Sequence, residues 1–273
     1  MKNLREILKI RDIVRKKQPL IHAITNPLAI NMLANAILFQ GARPICAEHP
    51  DEMKEIVSAS EAVSVNLGNI TDARLKSISL AANIANEKSI PILIDLVGIG
   101  ASKLRLNFAK KILQEHSFNI IKGNSSEILA LSSERSNAKG VDVGEADEID
   151  LSNLEKMIQI ASLLSNKYKS AILITGKIDI LLKGSTYYLI SNGCKELANI
   201  TATGCMLSAL ISVFMPFTDE LEASLLGLLI LEIAAEISKK EKPYSFFVNL
   251  MDNIALISDD VIEKRARIKE GIL

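Results

Sequence analysis

Apolar positions along the chain follow two rhythms, one close to helical spacing and one of short unbroken runs, and their alternation predicts the fold. Leu4, Ile7, Leu8, Ile13 and Val14 recur at near-helical intervals with charges between them, which predicts a surface helix over residues 4–17. Residues 19–24 read as a first strand. Thr25-Asn26-Pro27 then supplies a polar cap and a first-turn proline for a helix over about 28–40 that Gly41 stops. Residues 43–46 are a short second strand, Pro50-Asp51-Glu52 opens another helix, and residues 62–67 form a third strand. Thr71-Asp72 caps a helix reaching about Lys88, and residues 90–95 are almost wholly apolar, the pattern of a strand buried on both faces.

The alternation continues with a helix around 104–115, a strand over 118–121, and the polar stretch Lys122-Gly123-Asn124-Ser125-Ser126-Glu127 leading into a short helix. Residues 131–150, rich in Ser, Glu, Asp and Gly and without periodicity, read as a loop, either an insertion or an ordered cover over a site. A helix over 151–167 and an apolar strand over 171–176 follow. Residues 179–182 and 186–190, joined by Lys183-Gly184-Ser185, predict a hairpin and hence an antiparallel edge. Residues 199–210 are a small-residue loop feeding an apolar helix, and the chain from about Asp219 reads as three helices. No linker, repeat or second core interrupts the pattern. We therefore expect one α/β domain over residues 1–273, with a mostly parallel central sheet, antiparallel edge strands and helices on both faces.

Composition narrows the class. The 273 residues are 48% hydrophobic and 23% charged with no Trp, so the core must be built of Ile, Leu, Val and Ala. Formal net charge is zero, and no stretch mixes Lys and Arg with aromatics, which argues against a nucleic-acid partner. The most apolar stretch, 221–238, is interrupted by Glu222, Glu232 and Glu236, and its uncharged run falls well short of the ~20 residues of a membrane span. Cys46, Cys194 and Cys205 have no CxxC spacing, which argues against a disulfide framework or a Cys-rich zinc site and suits a reducing cytoplasm. The first 18 residues lack the apolar core of a signal peptide.

Candidate chemistry collects where strands end. In Asn199-Ile200-Thr201-Ala202-Thr203-Gly204-Cys205, small residues precede a helix whose first N–H groups can meet an anion. Cys205 falls in the first turn, a position that lowers a thiol's pKa; it reads equally as a small apolar filler of a core helix. A parallel sheet brings this loop to one edge with Asn66 to Asn69, Asp95 to Ser102, Lys122 to Glu127 and Thr175-Gly176. Two carboxylates, a cation and an anion hole suit phosphoryl transfer, with Asp95 and Glu127 holding Mg²⁺ directly or through water and Lys122 meeting a phosphate. Taken singly, Asp95 is also a strand-end cap, Glu127 a helix-start charge and Lys122 a surface lysine. There is no Walker-A sequence, and Gly98 with Gly100 is not a full dinucleotide fingerprint. His22 reads as a satisfied buried histidine and His49 and His116 as surface residues, too scattered for a metal site.

In order and spacing, Pro19 through Asn26, Gly41-Ala42-Arg43-Pro44, Asn66-Leu67-Gly68, Asp95 through Ala101, Lys122 through Glu127, Gly140-Val141-Asp142, Ile174-Thr175-Gly176 and Thr201 through Cys205 resemble the hydroxyethylthiazole kinases of the ribokinase-like superfamily. The resemblance implies a three-layer ribokinase-like sandwich and a thiamin-salvage transferase that phosphorylates the hydroxyethyl group of 4-methyl-5-(2-hydroxyethyl)thiazole. It implies ATP as co-substrate, Mg²⁺ as cofactor, and a homotrimer with substrate pockets between subunits. Carried over residue by residue, Cys205 matches the catalytic cysteine and Thr203 and Gly204 complete the anion hole. Asp95 and Glu127 match the acidic residues near the metal. Lys122, Asn124, Thr175 and Gly176 fall at nucleotide positions, and Asn26, Cys46 and Ala202 around the thiazole. The family usually has Gly at Ala202, Pro at Leu96, Arg at Lys122 and Met at Cys46, and a Gly-Pro-Gly-Ser-Phe-like stretch appears here as Lys242-Pro243-Tyr244-Ser245-Phe246. Ala202 is the most consequential, because its methyl crowds the substrate side and Ala resists positive φ. These departures keep two other readings in play: a kinase of another small alcohol, and a non-catalytic ligand-binding trimer.

Overall fold

Each apolar run divides its side chains between two sides of a single sheet, as the period of two along an extended chain requires. The computed structural model describes residues 3–132, 153–238 and 242–273. Among the described residues the nine strands are β1 (Leu20–Ile24), β2 (Arg43–Ile45), β3 (Ala62–Asn66), β4 (Ile92–Asp95), β5 (Ile120–Asn124), β6 (Ala171–Thr175), β7 (Asp179–Lys183), β8 (Thr186–Ile190) and β9 (Ile268–Ile272). They lie in the order β2-β1-β3-β4-β5-β6-β7-β8-β9. The first six are parallel; β7, β8 and β9 add on antiparallel.

On one face, Ile21, Ala23, Leu93, Leu173 and Leu181 pack with α1 (Leu4–Leu8), α2 (Ile10–Lys17), α3 (Ile30–Phe39), α9 (Thr203–Phe214), α10 (Glu220–Ile237), α11 (Pro243–Leu256) and α12 (Asp259–Arg265). On the other, Val63, Val65, Ile92, Ile94, Ile172 and Ile174 pack with α4 (Met53–Ala59), α5 (Asp72–Glu87), α6 (Lys103–Glu115), α7 (Ser125–Ser132) and α8 (Leu154–Tyr168). Three layers result, as the sequence predicts. The helices α9 and α10 are buried along most of their length and approach closely at Gly227. A Cβ there would stand 2.5 Å from Ile211 Cγ1 and 2.9 Å from its backbone nitrogen.

Some expectations change. The N-terminal segment is two helices divided at Lys9, and the break accompanies burial of Arg11, whose guanidinium donates to Ile257 O and pairs with Asp259. The chain after Asp219 ends in a strand rather than in helix alone: β9 pairs with β8 from Ile190↔Ile268 to Thr186↔Ile272. Its sequence, Ile-Lys-Glu-Gly-Ile, has too few apolar positions to announce a strand, because it is an edge strand with mostly exposed or half-exposed residues. β5 runs on to Asn124, so Lys122 lies within the strand. Of the loop expected over 131–150, Leu131 and Ser132 end α7; the remainder, with Gly140-Val141-Asp142, lies outside the described residues.

Candidate active site at the carboxyl edge of the sheet

Parallel register aligns the strand ends laterally. Asn66 on β3 stands beside Asp95 on β4, Asp95 beside Lys122 on β5, and Asn124 beside Thr175 on β6. The N-terminus of α9 points into the same edge. Its N-cap, Ala202, has φ +65 and ψ 12, the left-handed region, and no side chain caps the helix. The first N–H groups of such a helix have no partner within it and are disposed toward an anion. A Cβ at Gly204 would meet Lys122 Nζ at 3.6 Å, so the ammonium sits against this first turn. Thr203 Oγ1 donates back to Leu197 O and Ile200 O.

Lys122 and Asp95 are both buried and joined Nζ to Oδ2 at 3.0 Å. Burial works against the lysine charge, but Asp95 overrides it and holds the pKa above the ordinary lysine value. Ser208, one turn into α9 from Gly204, donates to the same Asp95 Oδ2 at 2.7 Å, tying the start of α9 to β4. Asp95 Oδ1 is buried and unpartnered. A buried carboxylate oxygen without a donor is the atom a hard cation would take, so the donor set fits Mg²⁺ at Asp95.

Glu127 is placed differently. Its Oε1 accepts the Gly98 N–H and its Oε2 the Asn124 N–H, each at 2.8 Å, while Asn124 Oδ1 accepts the Glu127 N–H at 2.9 Å. This reciprocal cap starts α7, and the absence of a side chain at Gly123 leaves room for it, since a Cβ there would lie 3.2 Å from Glu127 Oε2. Burial, with Asp95 adding to it, raises the Glu127 carboxyl to about 7. The two backbone donors fix the orientation of both oxygens, each of which keeps a second lone pair for a metal, directly or through water.

The Cys205 thiol is buried and accepts amide N–H groups from Asn26 at 3.4 Å and Asn66 at 3.3 Å. Both amides are oriented by their oxygens, which accept the N–H of Ala29 and of Gly68. The helix start was expected to lower this thiol's pKa; instead burial, then the Asp95 charge, pushes it up to about 11. Cys46, just beyond β2, is half-buried and packs on the apolar cluster that includes Cys205. Thr175 ends β6 and Gly176 opens the turn that follows, where its N–H donates to Asp179 Oδ1 at 2.9 Å. The edge therefore brings Asn26, Asp95, Lys122, Ala202, Thr203, Gly204 and Cys205 into one group, with Asn124, Glu127, Thr175 and Gly176 beside it. Asn66 and Ser208 join the group without having been singled out for a role. Asn66 ends an apolar strand as Asp95 does, which was a usable signal; Ser208 shows only as the residue four after Gly204, on the same helix face.

A model of the family described as "HK: Hydroxyethylthiazole kinase family" matches residues 11–260. Hydroxyethylthiazole kinase 2 of Clostridium botulinum (strain Kyoto / Type A2) is 47% identical over 262 residues, covering 96% of this chain and 99% of the relative. The structure of a hydroxyethylthiazole kinase protein from Pyrococcus horikoshii OT3 superposes with a TM-score of 0.88 at 31% identity, over 98% of this chain and 99% of that one. A ribokinase-like superfamily protein from Enterococcus faecalis V583 shares the fold, with a TM-score of 0.57 at 13% identity over 89% and 93% of the two chains. Near-complete coverage in sequence and in structure leads to one conclusion: the chain belongs to the hydroxyethylthiazole kinase family.

Proposed function

We propose that this chain, acting as one domain, transfers the terminal phosphoryl group of ATP to the primary alcohol of 4-methyl-5-(2-hydroxyethyl)thiazole. The observation that carries the reading is the uncapped start of α9, with the Lys122 ammonium on one side and the amide-held Cys205 thiol on the other. Phosphoryl transfer through a loose transition state asks the protein mainly to position groups and offset charge. The N–H groups of Thr203, Gly204 and Cys205 receive the charge of the moving phosphoryl group, and Lys122 meets it from the β5 side. Asp95 would hold Mg²⁺, with Glu127 reaching it directly or through water. Mg²⁺, when bound, neutralises phosphate oxygens. Asn124, Thr175 and Gly176 line the nucleotide side, and Asn26, Cys46 and Ala202 the alcohol side. Cys205 stays a thiol in neutral solution, so it positions the alcohol rather than removing its proton.

We also infer a homotrimer with the alcohol pocket between subunits. Leu28, two residues from Asn26, is 79% exposed, so the alcohol side of the edge opens onto the surface of the subunit. Among the described residues no helix is long and apolar enough to cross a membrane, and the three cysteines are free, which supports a cytoplasmic enzyme.

Ala202 favours a second reading, a kinase of a different small alcohol, since its methyl stands where the family usually has none. A panel of heterocyclic and sugar alcohols with Mg-ATP separates the two. The first reading expects the thiazole alcohol to give the highest kcat/KM; an inert thiazole alcohol beside a well-used alternative would overturn it.

A further inference from the structure

A second group of titratable side chains lies beside the nucleotide edge and takes no part in the chemistry above. Asp179, at the head of β7, is 2% exposed, and Glu232, on α10, is 8% exposed. Their carboxyl groups lie close enough to act directly on one another. Asp179 Oδ2 and Glu232 Oε2 meet no N–H or hydroxyl donor. Two facing carboxylates in a buried site cannot both be charged without strong repulsion, so such a contact persists only if the two groups hold a proton between them.

The other oxygen of Asp179 is committed: Oδ1 accepts the Gly176 N–H at 2.9 Å and so fixes the turn that leaves β6 immediately after Thr175. The pair thus connects three pieces of the fold. The β6–β7 turn hangs on Asp179, and α10 carries Glu232. The chain after β8 runs over Glu232 at Gly193, where φ is +98 and a Cβ would stand 3.6 Å from Glu232 Cγ.

We propose that Asp179 and Glu232 are a positioning pair that shares one proton across the contact between β7 and α10, and that this pair holds the turn after β6 in its nucleotide-binding shape. The inference rests on the reading that Thr175 and Gly176 contact ATP. Charged groups around the pair are Glu236, one turn along α10; Arg267, which pairs with Glu236; and Lys122, acting on Asp179 from β5. Lys177, in the turn itself, is exposed. Burial raises both carboxyl groups, and the negative Asp179 and then Glu236 raise Glu232 further, well above the ordinary glutamate range, so the pair retains a proton. A carboxyl whose folded pKa is raised contributes its stabilisation at low pH and loses it as pH rises through the folded value. In alkaline solution the pair becomes two facing carboxylates, the hold on Gly176 weakens, and nucleotide affinity falls.

The test is the pH dependence of KM for ATP and for the alcohol in the full chain and in Asp179→Asn, Glu232→Gln and Asp179→Ala, with direct titration of Mg-ATP binding over the same series. In the parent, KM for ATP rises several-fold from neutral to alkaline pH, and KM for the alcohol moves much less. In either amide variant an amide N–H replaces the shared proton at the same net charge, and the alkaline rise disappears. Asp179→Ala leaves the Gly176 N–H without its acceptor and raises KM for ATP about tenfold at neutral pH. Amide variants that keep the parent's alkaline rise would overturn the proposal; they also decide it if Asp179→Ala does not fold. A chain inert toward the thiazole alcohol whose Mg-ATP binding still weakens in alkali, with the amide variants flat, would support the pair while faulting the substrate reading.

Discussion

At the scale of single residues, Cys205 and Ala202 show how surroundings decide chemistry. A thiol in the first turn of a helix gains from the helix dipole, yet burial and the nearby Asp95 charge win, and the group is held up to about 11. The sign follows: the neutral form is favoured in the folded chain, and ionisation comes later than for an ordinary thiol. Alkylation of Cys205 by iodoacetamide, followed by site-resolved mass spectrometry, should rise about tenfold per pH unit through the mildly alkaline range. A rate already level near neutrality would mean a thiolate and would return a base to the mechanism. Ala202 was readable as a point of conflict from the sequence, and its φ of +65 bears that out. The left-handed conformation costs an alanine about 1–2 kcal/mol, more than the freedom that glycine returns to the unfolded chain. Ala202→Gly should therefore stabilise the protein by about 0.5–1 kcal/mol, seen as a higher urea midpoint. A lower midpoint would show that the methyl contributes packing that outweighs the strain.

Among elements, those with a strong internal pattern were legible. β4 and β6 are unbroken apolar runs ending in a polar residue, so both the strand and its polar carboxyl end could be read from Asp95 and Thr175. The division of the first helix at Lys9 and the strand β9 were not, because tertiary partners create both: Arg11 is drawn to Ile257 and Asp259, and β9 exists by pairing with β8. Ser208 escaped for a related reason, since its contact with Asp95 from helix to strand leaves no mark on local spacing, whereas Asn66 carried the strand-end signal without its bond to Cys205 being readable. Contact between α9 and α10 bears on the proposed function because α9 begins at the turn proposed to meet the phosphoryl group. Gly227→Ala would force a methyl to within 2.5 Å of Ile211 Cγ1 and 2.9 Å of its nitrogen, and one of these is backbone. We expect a loss of about 2–3 kcal/mol in urea unfolding, the scale of an overpacked core. A loss below about 0.5 kcal/mol would mean that the two helices separate freely.

For the whole molecule, one sheet with aligned parallel strand ends gathers residues from widely separated parts of the chain. Asn26, Asn66, Asp95, Lys122 and Cys205 meet only because β1, β3, β4 and β5 end at the same level and α9 begins there. The family follows from near-complete coverage in sequence and structure. What this edge does in this chain is the central claim. The most direct measurement is mass spectrometry of the products when the purified chain is given 4-methyl-5-(2-hydroxyethyl)thiazole and Mg-ATP. The account predicts the thiazole monophosphate and ADP in equal amounts, both dependent on Mg²⁺. ADP appearing without a phosphorylated thiazole, or neither product forming, would contradict it.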